Sequence, residues 1–144
     1  AKNELYFLYG TLGNLYRIIG KPKKAIRYLN ICLDMAKKEG NVRREVVSLI
    51  RYGEALKYDH QHLMALEVFN EALQKVKEHQ LHLYEDFVLQ HKGKCLVELG
   101  KLEDAETCFI IALKLRKIKK EVSLINSTEQ ALDFVDRLKT DSLP

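Results

Sequence analysis

The sequence predicts an all-α fold built from repeated pairs of helices. Apolar residues recur at helical spacing through most of the 144-residue chain, and only two prolines interrupt it, Pro22 and Pro144. Glycine and other small residues recur at a fixed period: Gly13, Gly53 and Gly93 lie 40 residues apart. Since small residues let two helices cross closely, this period marks one packing unit repeated along the chain.

Several columns of residues, the glycine column among them, keep this period of 40 residues. Four columns are identical in all three copies, one is large and apolar throughout, and one is small throughout. The identical columns are Gly13, Gly53 and Gly93; Ala25, Ala65 and Ala105; Leu33, Leu73 and Leu113; and Lys37, Lys77 and Lys117. The large column is Leu29, Phe69 and Phe109, and the small one is Cys32, Ala72 and Ala112. The columns predict three helix pairs, at about residues 2–40, 41–80 and 81–120.

Each helix has its own start and stop signals. In the first helix Leu5, Leu8, Leu12, Leu15 and Ile19 follow helical spacing. Gly20 suits the left-handed turn after it, Pro22 suits the start of the second helix, and Gly40 suits its end. The corner at residues 59–61 lacks glycine, so we expect it to differ. The predicted helices span about residues 3–19, 22–38, 42–58, 62–79, 81–99 and 102–118.

A last helix is predicted over about residues 121–139, with a capping box at Ser127–Gln130. It is either a terminal capping helix or the first half of a fourth repeat. Because the helical pattern opens almost at Ala1, we expect the chain to be a fragment of a longer protein.

Composition excludes several classes of protein. The net charge of +4 is mild and permits acidic partners without demanding nucleic acid. Apolar runs fall far short of the roughly 20 residues that span a bilayer, and no signal-peptide pattern opens the chain. The three cysteines, Cys32, Cys95 and Cys108, lack CxxC spacing and occupy small or apolar columns. We expect reduced, buried thiols and a cytoplasmic protein.

The triplets Gly13-Ala25-Cys32, Gly53-Ala65-Ala72 and Gly93-Ala105-Ala112 resemble the pattern of a tetratricopeptide repeat. The resemblance covers about residues 2–120 and implies a right-handed α-solenoid that binds proteins or peptides without catalysis. The familiar repeat has about 34 residues, so this is a long variant. It is similar to the repeats of kinesin light chains, Rap-type peptide-sensing regulators and arrays in signal-transduction ATPase regulators. HEAT and armadillo repeats share the length, but their proline and basic signatures are missing.

The resemblance also implies where a ligand binds, because the first helix of each repeat lines the concave surface. We expect a mixed apolar and basic groove for a peptide or partner helix of acidic character. Its predicted residues are Phe7, Asn14 and Arg17; Val47, Ile50, Arg51, Glu54, Lys57 and Tyr58; and Phe87, Gln90, His91, Lys94 and Glu98. A clamp for chaperone C-termini is not expected, since Asn14 alone fits its pattern.

Other functions find less support in the sequence. Self-association through the last helix, by Leu124, Phe134 or Val135, is one alternative. RNA binding by the basic run 114–120 is another, although cations at a helix end also favour the helix dipole. His91 and Cys95 have i,i+4 spacing, but Cys95 shares its column with apolar residues, and so we interpret it as a packing residue. We expect no metal, no cofactor and no enzymatic activity.

Overall fold

A computed structural model describes residues 1–141, and there it consists of seven α-helices, one short 3-10 turn and no strand. This confirms the all-α prediction. In chain order the helices are α1 (Lys2–Ile18), α2 (Pro22–Glu39), α3 (Val42–Tyr58), α4 (His62–Glu78), α5 (Glu85–Glu98), α6 (Leu102–Lys119) and α7 (Val122–Asp141). The predicted start of α5 is wrong by four residues, because the 3-10 turn His82–Tyr84 precedes it.

The chain divides into two compact units. Unit 1, Ala1–Leu81, contains α1 to α4, each packed on the next, with α1 also touching α3. Unit 2 begins at His82 and contains α5 to α7, with α6 packed on both of its neighbours and α5 touching α7.

Every turn between helices in the two units contains a residue in the left-handed conformation. Glycine supplies it at Gly20, Gly40 and Gly100. His60, Gln80 and Lys120 adopt it without glycine, at φ of 63°, 54° and 61°. The expectation that the corner at residues 59–61 differs is therefore wrong. There Gln61 N donates to Leu56 O at 2.9 Å, as Lys21 N donates to Tyr16 O at 2.8 Å in the glycine turn. Helix packing thus imposes the turn, at about 1 kcal/mol for a residue with a Cβ.

The glycine column lies where two helices of a pair cross. A Cβ added at Gly13 would stand 2.6 Å from Leu29 Cγ, and one at Gly93 would stand 2.6 Å from Phe109 Cε1. Gly53 meets the ring of Phe69 in the same way. The large side chains are almost fully buried. Each large residue therefore fills the space left by the missing side chain, which confirms the predicted close crossings.

α1 differs from the other first helices in what it buries. Its buried residues are Tyr6, Gly10 and Gly13, which face α2 and, at Tyr6 and Gly10, also α3. The helically spaced apolar residues on its other side are largely exposed, among them Leu8 at 52% and Leu15 at 51%.

α7 is longer than predicted and starts differently. Because it begins at Val122, residues 127–130 lie inside the helix, and the predicted capping box is wrong. Val135 is fully buried, so it is not available for self-association, whereas Phe134 is exposed.

Among the described residues, no helix has the length and apolar character needed to cross a membrane.

The glycine column predicts whether a Gly→Ala substitution raises or lowers the free energy of unfolding. An exposed helical Gly→Ala change stabilises a helix by up to about 1 kcal/mol. In Gly53→Ala the clash with Phe69 should reverse that sign and lower the free energy of unfolding by about 1–3 kcal/mol. Gly10→Ala is the control, since its nearest neighbour is the flexible end of Arg51 at 3.4 Å. Urea denaturation of both variants checks this, and equal stabilities would contradict it.

Candidate functional site

In unit 1 the first helices α1 and α3 touch at three successive levels. At the first, Tyr6 Oη lies 3.4 Å from Ser48 Oγ and donates a hydrogen bond to Arg44 O at 3.3 Å. At the next, Arg51 lies over Gly10, and at the last Arg17 pairs with Glu54 at 3.8 Å. These contacts hold the predicted ligand face of unit 1 in one arrangement.

Arg51 occupies the middle level and is half-buried. Its Nη1 atom lies 3.4 Å from the position that a Cβ on Gly10 would take. Within residues 1–141 its guanidinium has no ion-pair or hydrogen-bond partner. Burial raises the pKa of the Cys32 thiol to about 11, and the positive charge of Arg51 opposes that rise. A cation therefore lies near Cys32 with no carboxylate to neutralise it.

The lower level of this face is an ion cluster. Glu54 lies between two cations, with Arg17 Nη1 at 3.8 Å and Lys57 Nζ at 3.7 Å. Arg17 also donates to Asn14 Oδ1 at 3.4 Å. Together with Arg51, these side chains place three positive charges against one negative charge on the face.

Exposure divides the predicted groove residues of unit 1. Phe7 and Tyr58 are exposed, and Val47 is half-buried, as are Asn14, Arg17 and Arg51. Ile50, Glu54 and Lys57 are buried, so their side chains offer little surface to a ligand. Lys57 Nζ also lies 4.8 Å from the centre of the Tyr58 ring, and Arg44 lies 5.1 Å from that of Phe7.

In unit 2 the predicted residues fall into two groups. Phe87 is half-buried under Arg116 and Lys119, which lie 5.3 Å and 4.9 Å from its ring centre. Gln90 is buried, and its Oε1 accepts a hydrogen bond from Thr128 Oγ1 at 2.9 Å. His91 is half-buried, whereas Lys94 and Glu98 are exposed.

A buried polar network joins the three helices of unit 2. Arg116 Nε donates to Asp86 Oδ2 at 2.9 Å, and Arg116 Nη1 donates to Thr128 Oγ1 at 2.9 Å. Lys119 pairs with the second oxygen of Asp86. Since Asp86, Arg116 and Thr128 are 0–2% exposed, α5, α6 and α7 depend on these bonds for their positions.

This network changes the interpretation of the basic run 114–120. Arg116 is buried and Lys119 is half-buried against Asp86, so these two cations are internal ion-pair partners. Lys114, Lys117 and Lys120 of the run remain exposed. A signal for the burial of Arg116 was present in the sequence, because Arg116 shares its 40-residue column with Ala36 and Val76, which are both fully buried.

The cysteines are free and buried, as the sequence predicts. Burial also raises the pKa of the Cys108 thiol, which disfavours a reactive thiolate. Within the described chain, no three His, Cys, Asp or Glu side chains come together as a metal site would require.

Comparison with known proteins places this fold. A tetratricopeptide repeat family model matches residues 8–39. The apo form of RapI is 20% identical, with a TM-score of 0.86, over 96% of this chain and 50% of that one. This chain therefore spans about half the length of RapI. No match was found among curated proteins.

Two further solved structures are similar over most of their own length. The tetratricopeptide domain of Arabidopsis FLU is 17% identical, with a TM-score of 0.76, over 84% of this chain and all of that one. A chain of a T3SS complex from Aeromonas hydrophila is 23% identical, with a TM-score of 0.76, over 99% of this chain and 87% of that one. The chain thus has a helical repeat fold similar to that of tetratricopeptide repeat proteins.

The polar network predicts the effect of removing one hydroxyl. Thr128→Val keeps the side-chain shape but removes the hydrogen bond that Gln90 Oε1 accepts and one of the three that Arg116 donates. We expect a loss of about 1–3 kcal/mol in the free energy of unfolding and faster amide exchange in α7. Thr140→Val is the control, since Thr140 is an exposed threonine of the same helix whose hydroxyl donates to Asp136 O. Equal exchange rates in the two variants would contradict the role of Thr128.

The raised pKa of Cys32 predicts a dependence of stability on pH. The folded pKa of about 11 lies above the ordinary thiol pKa of 9.0, so the folded state holds the thiol proton more tightly. This stabilisation is complete below pH 9 and is lost as the pH rises to about 11. Wild type should therefore lose up to about 2 kcal/mol more than Cys32→Ala over that range. Urea denaturation at several pH values measures the difference, and parallel curves would contradict it.

Proposed function

We propose that the protein is a non-catalytic module that binds a protein or peptide segment carrying an acidic side chain. The ligand binds on the face that α1 and α3 form in unit 1. The observation that carries this proposal is Arg51, a half-buried guanidinium for which residues 1–141 provide no ion-pair partner. A guanidinium binds a carboxylate through two parallel hydrogen bonds, and partial burial makes that interaction stronger than at an open surface.

The surroundings of Arg51 support an acidic ligand. Glu54 is already shared between Arg17 and Lys57, so the cations on this face outnumber it. A negative ligand would therefore meet a net positive face, which favours both its approach and its orientation.

The same face offers apolar contact area on either side of the cation. Val47 precedes Arg51 by one helical turn. Arg44 precedes Val47 by one further turn, and the exposed Phe7 lies beside it. Tyr58 lies two turns after Arg51 and is half-exposed, at 51%. Apolar side chains flanking one charged anchor are typical of a surface that recognises a peptide or helix. Because the contacts between α1 and α3 already hold the face in place, binding requires little further ordering.

The proposal has two further parts. Lys94 and Glu98 of unit 2 are exposed and are proposed to contribute to ligand binding. A regulatory role in the cytoplasm is proposed from the long repeat, the likeness of the fold to RapI and the buried free thiols.

The test is a peptide array of matched pairs that differ only in Asp or Glu against Asn or Gln. Wild type should prefer the acidic member of each pair, and Arg51→Gln should reduce that preference about tenfold, or about 1.4 kcal/mol. Added salt should weaken the binding of the acidic peptides.

Arg27→Gln is the control, because it removes the same charge from an exposed site on α2. If Arg51→Gln and Arg27→Gln bind all peptides equally, the assignment to this face is wrong.

A further inference from the structure

α1 carries a row of exposed apolar residues that the proposed ligand face does not use. Leu5, Leu8, Leu15 and Ile19 are 43–61% exposed, and Leu12, which is half-buried, lies between them. Their spacing of three and four residues places them along one side of the helix. We call this row the leucine stripe. Five large apolar residues on one side of a helix form a patch of the kind that marks an interaction site.

The 40-residue period shows what happens at the same positions of the other first helices. The column of Leu8 continues as Ser48, Val88 and Thr128, and all three are 0–2% exposed. The column of Leu15 continues as Ala55, Cys95 and Val135, and all three are fully buried. Within the described chain, these two columns are exposed on α1 and buried on α3, α5 and α7.

The helices that cover these columns are known inside each unit. In unit 1, α3 packs on α2, and Ala55 lies in one cluster with Ala25 and Leu29. In unit 2, α7 packs on α6, where Thr128 accepts a hydrogen bond from Arg116. In both units the second helix of a pair packs on these columns, and the preceding first helix adds a contact, as Tyr6 does with Ser48 and Gln90 with Thr128. Each second helix carries a small residue followed four positions later by a large apolar residue, as in Ala25 with Leu29 and Ala105 with Phe109.

We propose that the leucine stripe is a docking site for one more amphipathic helix of the same kind as α2 and α6. This is an interaction surface separate from the Arg51 face. The stripe has Leu8 and Leu15 where α3 has Ser48 and Ala55, so its occupant meets a larger and more apolar surface than α2 meets on α3. A folded second copy does not offer such a helix, because its Ala25, Leu29, Ala105 and Phe109 are already buried.

The test uses the whole chain and a fluorescently labelled synthetic peptide of the α2 sequence, Pro22–Glu39, with blocked ends. Fluorescence anisotropy should show saturable binding to wild type, and Leu8→Asp and Leu15→Asp should each weaken it at least tenfold. Both leucines are half-exposed, so these variants should fold, as far-UV circular dichroism can verify.

Leu63→Asp is the matched control, because Leu63 is an exposed leucine outside the stripe, and it should bind the peptide like wild type. Arg51→Gln should also bind normally, which separates this surface from the proposed ligand face. Absence of saturable binding, or equal binding by Leu8→Asp, would overturn the proposal. So would sedimentation equilibrium showing a wild-type dimer that Leu8→Asp abolishes, since the occupant would then be a second copy.

Discussion

The structure depends on one steric relationship, in which a helical glycine faces a large residue 16 positions later in the chain. Gly13 with Leu29, Gly53 with Phe69 and Gly93 with Phe109 bring the two helices of each pair into close contact. That spacing sets the positions of the first helices, and these in turn hold the Arg51 face. The glycines therefore set the spacing of α1 and α3, the helices that carry the proposed ligand face.

Unit 2 keeps this spacing but replaces part of its apolar packing with charge. Asp86 shares a column with Tyr6 and Val46, and Arg116 shares one with Ala36 and Val76. In unit 1, Tyr6 and Ala36 lie in the same apolar cluster. Two positions that meet through apolar contact in one repeat thus meet through an ion pair in another. A buried ion pair adds little stability over good apolar packing, but it is costly to break and tolerates few alternative arrangements. The pair joins α5 to α6 and holds Arg116 where it donates to Leu124 and Thr128 of α7.

Much of this fold could be predicted from periodicity, because the columns reflect contacts that recur at every helix crossing. The bounds of α3 and the Gly53–Phe69 contact follow from it directly. The left-handed turn at His60 could not be predicted, because distant packing imposes it against the local preference of the residue. Helical spacing also shows that Leu8 and Leu15 share a side of α1, but not whether another helix covers that side.

The candidate site was less predictable than the fold, because long side chains can turn inward or outward from the same position. Lys57 was expected on the ligand face, yet it is buried against Glu54. Gln90 was expected there too, yet it binds Thr128. Arg51 was expected on the ligand face too, and its side chain is half-buried between α1 and α3. The contact that makes it distinctive is with Gly10, a glycine outside the periodic columns.

The turns at His60, Gln80 and Lys120 have a consequence for how such a protein changes over time. These three residues adopt the same left-handed backbone conformation as the glycines of the other turns, although their side chains differ. The packing of the flanking helices therefore sets the turn conformation. Mutation can therefore alter the chemistry displayed at these corners at modest energetic cost while the scaffold stays in place. These three turns can therefore acquire residues that make new contacts while the buried core stays unchanged.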